Sequence, residues 1–172
     1  MTQRFSAHTS ATATGAAADR LAELEQRHGH VGTMVRTMAG SPSMLIGYLE
    51  LSRAMKRSRL DRELSERISL AVQEALGCAA CLQAHTEAAR ALGIPEPEID
   101  LARRATSADP RTAAVVAFGH RVHADPASIT DDDVESLREL GVRDRDILDI
   151  VGLVALNVLT GTFNLVAGLE PG

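Results

Sequence analysis

The chain has 172 residues and a mass of 18.3 kDa, enough for one domain with a sizeable core. Apolar residues make up 45% of it and aromatics only 2%, so Ala, Leu and Val must fill the interior, which suits close-packed helices better than a sheet drawing on aromatic residues. A net charge of −5, with no basic cluster interleaved with aromatics, gives nucleic acid no electrostatic reason to bind and excludes it as an expected partner.

The first residues, "MTQRFSAHTSATATGAAAD", lack the apolar run of a signal peptide. Residues 1–18 read as a Ser/Thr/Ala-rich flexible tail and 19–172 as one helical domain. "ADRLAELEQRHGH" is a first amphipathic helix ending near Gly29. "SPSMLIGYLELSRAMKRS" opens with Ser41 as N-cap and Pro42 in the first turn, then spaces Met44, Leu45, Tyr48, Leu49 and Leu51 along a helix. "DRELSERISLAVQEALG" places Leu64, Ile68, Val72 and Leu76 on one stripe. "CAACLQAHTEAARALG" follows and is stopped by Gly93 before Pro95. "PEPEIDLARRAT" and "DPRTAAVVAFGHRVHAD" are two more helices, the first beginning with the proline and acids that favour a helix start. "TDDDVESLRELG" spaces Thr130 and Asp133 as a capping box and closes on Gly141.

A last helix runs from near Asp144 to about Gly168. Its uncharged stretch, 150–169, is long enough to cross a membrane, but it carries Asn157, Thr160, Thr162 and Asn164 and no basic flank beyond its C-terminal end. It reads as a core or interface helix, and no membrane partner is expected. No strand-like alternation or hairpin signal is present. The expected fold is all-α, a compact single domain of about eight helices. Without an export signal the expected compartment is the cytoplasm.

The chemistry is concentrated in "EALGCAACLQAH", residues 74–85, which holds the only two cysteines. In a reducing compartment a close cysteine pair is redox-active or metal-binding more often than a structural staple. On one helix Cys78, Cys81 and His85 share a face. Gly77 marks the end of the preceding helix and places Cys78 in a first turn, where free N–H groups favour a thiolate. Histidine can take a thiol proton near neutral pH. A sulfenic acid on Cys81 would have Cys78 within reach to resolve it as a disulfide. CxxC alone is weak, because buried cysteines are common core residues. Zinc would need further ligands; His120 and His123 are spaced to supply them but sit at a helix end, so no metal is expected.

Glu66, eleven residues, Cys78-x-x-Cys81, three residues, His85: this combined pattern resembles the alkyl hydroperoxidase D-like proteins of the carboxymuconolactone decarboxylase family. The likeness extends more loosely over about residues 28–168. It implies an all-helical trimer or hexamer that reduces hydroperoxides without a cofactor. It further implies that Glu66 orients His85, that His85 deprotonates Cys81, and that Cys78 resolves the sulfenic acid. A thioredoxin- or lipoyl-type dithiol would then restore the pair. By spacing alone Glu74, four residues before Cys78, rivals Glu66. Many relatives carry an aromatic or histidine where this chain has Ala80.

Alternative readings are a disulfide reductase serving a protein such as a peroxiredoxin, a cofactor-free lactone decarboxylase, and a ligand-binding oligomer in which the cysteines merely pack. Gly152, Ala155 and Gly161 would let a neighbouring helix approach the last helix closely, consistent with a homo-oligomer.

Overall fold

Capping side chains start most of the helices where the sequence places them. In the computed structural model, which describes residues 3–171, the Ser41 hydroxyl accepts from the Met44 N–H, the Asp61 carboxylate from Leu64, and the Asp109 carboxylate from Thr112. Thr130 and Asp133 form the expected reciprocal box. Nine α-helices result among the described residues: α1 (Ala16–His28), α2 (Thr33–Met38), α3 (Pro42–Met55), α4 (Arg62–Leu76), α5 (Ala79–Ala91), α6 (Glu96–Arg103), α7 (Pro110–Ala124), α8 (Asp131–Glu139) and α9 (Asp144–Ala167). The all-α prediction holds. The helix not foreseen is α2, whose six residues have no side-chain cap and are too short to show a period.

α4 is the centre of the molecule and packs on α5, α6, α7 and α9. Its Ile68 and Val72 meet Val116 of α7 and Ile150 and Val154 of α9 in the main core, with Ile68, Val72, Val116 and Ile150 fully buried. Truncating such a residue to Ala costs about 2–5 kcal/mol. A second apolar cluster joins α1 (Ala17, Leu21) to Met38 and Leu45, and Leu159 and Phe163 of α9 pack against it. Residues 3–14, within the segment read as a tail, meet the fold at two backbone bonds, from Arg4 N–H to the Ala167 carbonyl and from His8 N–H to the Arg36 carbonyl.

α9 has the length and apolarity of a membrane span, yet here it packs on α3, α4, α5 and α7. Its glycines serve contacts inside the chain, which corrects the expectation that they wait for a neighbour. A Cβ on Gly161 would lie 2.5 Å from Gln73 Oε1 and 2.8 Å from Leu76 Cδ1, and one on Gly152 would lie 2.7 Å from Met55 Sδ. The absent side chains set how closely α9 approaches α4 and α3. Ala155, by contrast, is exposed.

Candidate active site

The turn between α4 and α5 puts the cysteines where they are. Gly77 adopts φ +69°, a left-handed conformation that ends α4 at little cost only for glycine. Cys78 then becomes the N-cap of α5, and its sulfur accepts from the Cys81 N–H at 3.4 Å. The two cysteines are joined as a disulfide, with Cα atoms 5.3 Å apart. Both are buried, but unequally: Cys78 is 1% exposed and Cys81 6%. Cys81 alone of the two lines the large cavity beside them.

That cavity has a volume of about 740 Å³, within the usual range for small-molecule sites. Four helices build it. α5 contributes Ala80, Cys81, Ala84 and His85; α4 contributes Arg62, Ser65, Glu66 and Ser69; α9 contributes Leu153, Leu156, Asn157, Thr160 and Asn164; α3 and the chain after it contribute Tyr48, Met55 and Lys56. Burial, only partly offset by a hydrogen bond with Ser52, pushes the Tyr48 phenol above its usual range, so it stays a neutral donor at physiological pH.

Glu66 and His85 converge on this cavity. His85 Nδ1 lies 2.7 Å from Glu66 Oε2, both side chains about a quarter exposed. A carboxylate on one ring nitrogen fixes the tautomer and leaves the other nitrogen as the proton acceptor. Residues 81 and 85 are one turn apart on α5, so sulfur and imidazole share the face that lines the cavity. Glu74, the rival by spacing, is elsewhere: its Oε2 accepts from Arg103 Nε at 2.7 Å in an exposed ion pair. Gly77 ends α4 after Glu74, so the continuous helix that would have aligned Glu74 with Cys78 does not exist. His120 and His123 lie on α7, and no group of three His, Cys, Asp or Glu among the described residues could hold a metal. Burial and the neighbouring His120 lower the His123 pKa.

Sequence reasoning missed the sulfur's direct partner. Asn164 Nδ2 donates to Cys81 Sγ at 3.2 Å, both groups buried, and an amide N–H on sulfur favours its thiolate. Behind it runs a buried polar chain. Gln73 Nε2 donates to the backbone carbonyl and to Oδ1 of Asn157, at 3.0 and 2.9 Å. Asn157 Nδ2 donates to Ser69 Oγ and to the Leu153 carbonyl, and Ser69 donates to the Ser65 carbonyl. The available signal was the seven-residue spacing of Asn157 and Asn164, which puts two amides on one face of an apolar helix.

Comparison with known proteins agrees with this geometry. Residues 40–120 match the model of the carboxymuconolactone decarboxylase family. This match supports the resemblance read from the Glu66–Cys78–Cys81–His85 pattern. The matched segment runs from α3 to α7 and holds all four residues. No curated protein is similar enough to this chain to count as a match. Among solved structures, an uncharacterized peroxidase-related protein from Ralstonia eutropha JMP134, described as an alkylhydroperoxidase AhpD core, superposes with a TM-score of 0.84 at 23% identity, covering 99% of this chain and 92% of that one. A peroxidase-related protein from Silicibacter sp. TM1040 gives 0.77 at 23% identity, over 90% and 83% of the two chains. The debrominase Bmp8, in complex with 2,3,4-tribromopyrrole, gives 0.72 at 17% identity, over 87% and 81%. At these identities the likeness is one of fold.

Proposed function

We infer that this protein is a thiol-dependent hydroperoxidase that cycles Cys78 and Cys81 between dithiol and disulfide. The observation that carries this reading is the convergence of Cys81, His85 and Glu66 on one cavity wall, with Cys78 behind Cys81 as its disulfide partner. In the reduced protein His85 takes the Cys81 proton and Glu66 stabilises the resulting imidazolium. The Cys81 thiolate attacks the terminal oxygen of the hydroperoxide, the O–O bond breaks, and the departing alkoxide takes the proton from His85 and leaves as the alcohol. Cys81 now holds a sulfenic acid. The Cys78 thiol attacks the Cys81 sulfur, the S–S bond forms and water leaves. The two electrons lost by the cysteines return by exchange with a thioredoxin- or lipoyl-type dithiol. The N-cap position of Cys78, the start of α5 and the Asn164 amide all support a thiolate here.

The reading includes a cytoplasmic homo-oligomer, a trimer or hexamer as in the family. It is supported by the outer face of α9, where Leu148 is 70% and Val166 56% exposed and Val151 and Leu165 also reach solvent. The test of the activity is peroxide consumption driven by dithiothreitol. Wild type consumes cumene hydroperoxide, and Cys81→Ser falls to the uncatalysed rate. Turnover undiminished by Cys81→Ser would refute the reading.

A further inference from the structure

The cavity is chemically different at its two ends. The sulfur end is at the level of Asn164, which bonds Cys81. The other end is at the level of Gly152, against which Met55 packs, and the residue after Met55 is Lys56. Gly152 and Asn164 are twelve residues apart on α9, about 18 Å along the helix axis. Between them α9 lines the cavity with Leu153, Leu156, Asn157 and Thr160, and α3 adds Tyr48. The site is thus a long slot, more apolar than polar in its lining as a whole, with its reactive sulfur at one extreme.

The far end is cationic. Lys56, the only lysine of the chain, ends α3, and Arg62 opens α4. Both line the cavity and both are exposed. Between residues 53 and 62 the chain carries Arg53, Lys56, Arg57, Arg59 and Arg62 against one acid, Asp61, whose carboxylate is occupied in capping α4. Many arginines elsewhere on the surface are matched with acids, such as Arg90 with Glu96, Arg121 with Asp133 and Arg138 with Asp144. Lys56 and Arg62 form no ion pair or side-chain hydrogen bond among the described residues. In a protein of net charge −5, two unpaired cations at one end of an apolar slot are a focused site for an anion. The one carboxylate lining the slot, Glu66, is held by His85.

We propose that the slot accepts a long-chain organic hydroperoxide with an anionic end, of the fatty-acid hydroperoxide class, its carboxylate at Lys56 and Arg62 and its peroxide at Cys81. This rests on the peroxidase reading above and specifies its substrate. Small neutral hydroperoxides reach the sulfur but leave the cationic end unused. Remote binding of this kind raises kcat/KM for the molecule that spans both ends.

Two measurements test it. In the dithiothreitol-driven assay, linoleic acid hydroperoxide is turned over with a kcat/KM at least tenfold above that of its methyl ester, and the advantage shrinks as salt is raised. The double variant Lys56→Gln, Arg62→Gln removes the advantage and leaves cumene hydroperoxide turnover within twofold, while the conservative pair Lys56→Arg, Arg62→Lys keeps it. Equal rates for acid and ester in wild type, or an equal loss on all three peroxides in the double variant, would overturn the proposal. Calorimetric binding of dodecanoate and of dodecanol to the oxidised protein reads the slot without turnover. Dodecanoate binds at least tenfold tighter than dodecanol in wild type and no tighter in the double variant. If no peroxide is reduced, the peroxidase reading fails while this measurement still decides whether the anion site exists. Equal affinity for acid and alcohol would remove the site even in an active peroxidase.

Discussion

The two ends of the cavity are built on opposite rules. At the sulfur end the functional side chains have partners: Cys81 with Asn164, His85 with Glu66, Gln73 with Asn157, Asn157 with Ser69. At the mouth, Lys56 and Arg62 are exposed and have none. Paired groups, buried or half-buried, hold a fixed geometry, which chemistry at a sulfur requires. Unpaired, solvated cations hold no geometry but leave their charge free for a ligand. The contrast separates a reacting end, where a change should affect every peroxide alike, from a selecting end, where it should affect only anions.

The sharpest way to break this division is at Glu66. Glu66→Gln keeps the side-chain shape but removes the charge opposite His85. It should lower kcat for acid, ester and cumene hydroperoxide alike by ~10²-fold, the scale of general acid–base assistance. A loss confined to anionic peroxides would put Glu66 at the selecting end instead. Asn164→Leu probes the sulfur directly. The amide N–H that this change removes favours the thiolate, so Cys81 of the reduced variant should be alkylated more slowly at neutral pH than in wild type. The rate of iodoacetamide alkylation against pH reads this; a purely structural asparagine would leave the profile in place.

The smallest expected effect concerns the scaffold behind the sulfur. A Cβ at Gly161 would meet the buried Gln73 amide, which is already committed to Asn157. Gly161→Ala should therefore destabilise the fold by about 1–3 kcal/mol, seen as a lower urea midpoint with an unchanged slope. Gly47 is also helical, and nothing lies within 4 Å of a Cβ placed there. The same change at Gly47 should be neutral or stabilising.

The sequence announced what depends on local signals. Ser41, Thr130 and Gly77 act through neighbours within a turn, so the helix boundaries were legible from them. The pairing of Glu66 with His85 was legible only through the family pattern, because the two lie on separate helices and spacing alone left Glu74 as a competitor. Gly77 decides between the two by ending α4 before the cysteines. The Asn164 bond to Cys81, across 83 positions, depends on how α9 crosses α5, which no local pattern encodes. Asn157 and Asn164 were visible as polar residues in an apolar helix, but only the fold shows that one meets Gln73 and the other the sulfur. The cations at the mouth likewise look like ordinary surface charge until the cavity is seen to end between them.

The most direct test of the account is the fate of the two thiols. Reduced protein is mixed with a slight excess of cumene hydroperoxide, quenched with an alkylating reagent and analysed by mass spectrometry. The account predicts that two thiols per subunit disappear together as a Cys78–Cys81 disulfide and return with dithiothreitol, and that Cys78→Ser traps a sulfenic acid on Cys81. Persistence of both thiols at peroxide levels that oxidise ordinary cysteines, or a sulfenic acid trapped on Cys78 in Cys81→Ser while Cys81 stays unmodified in Cys78→Ser, would contradict it.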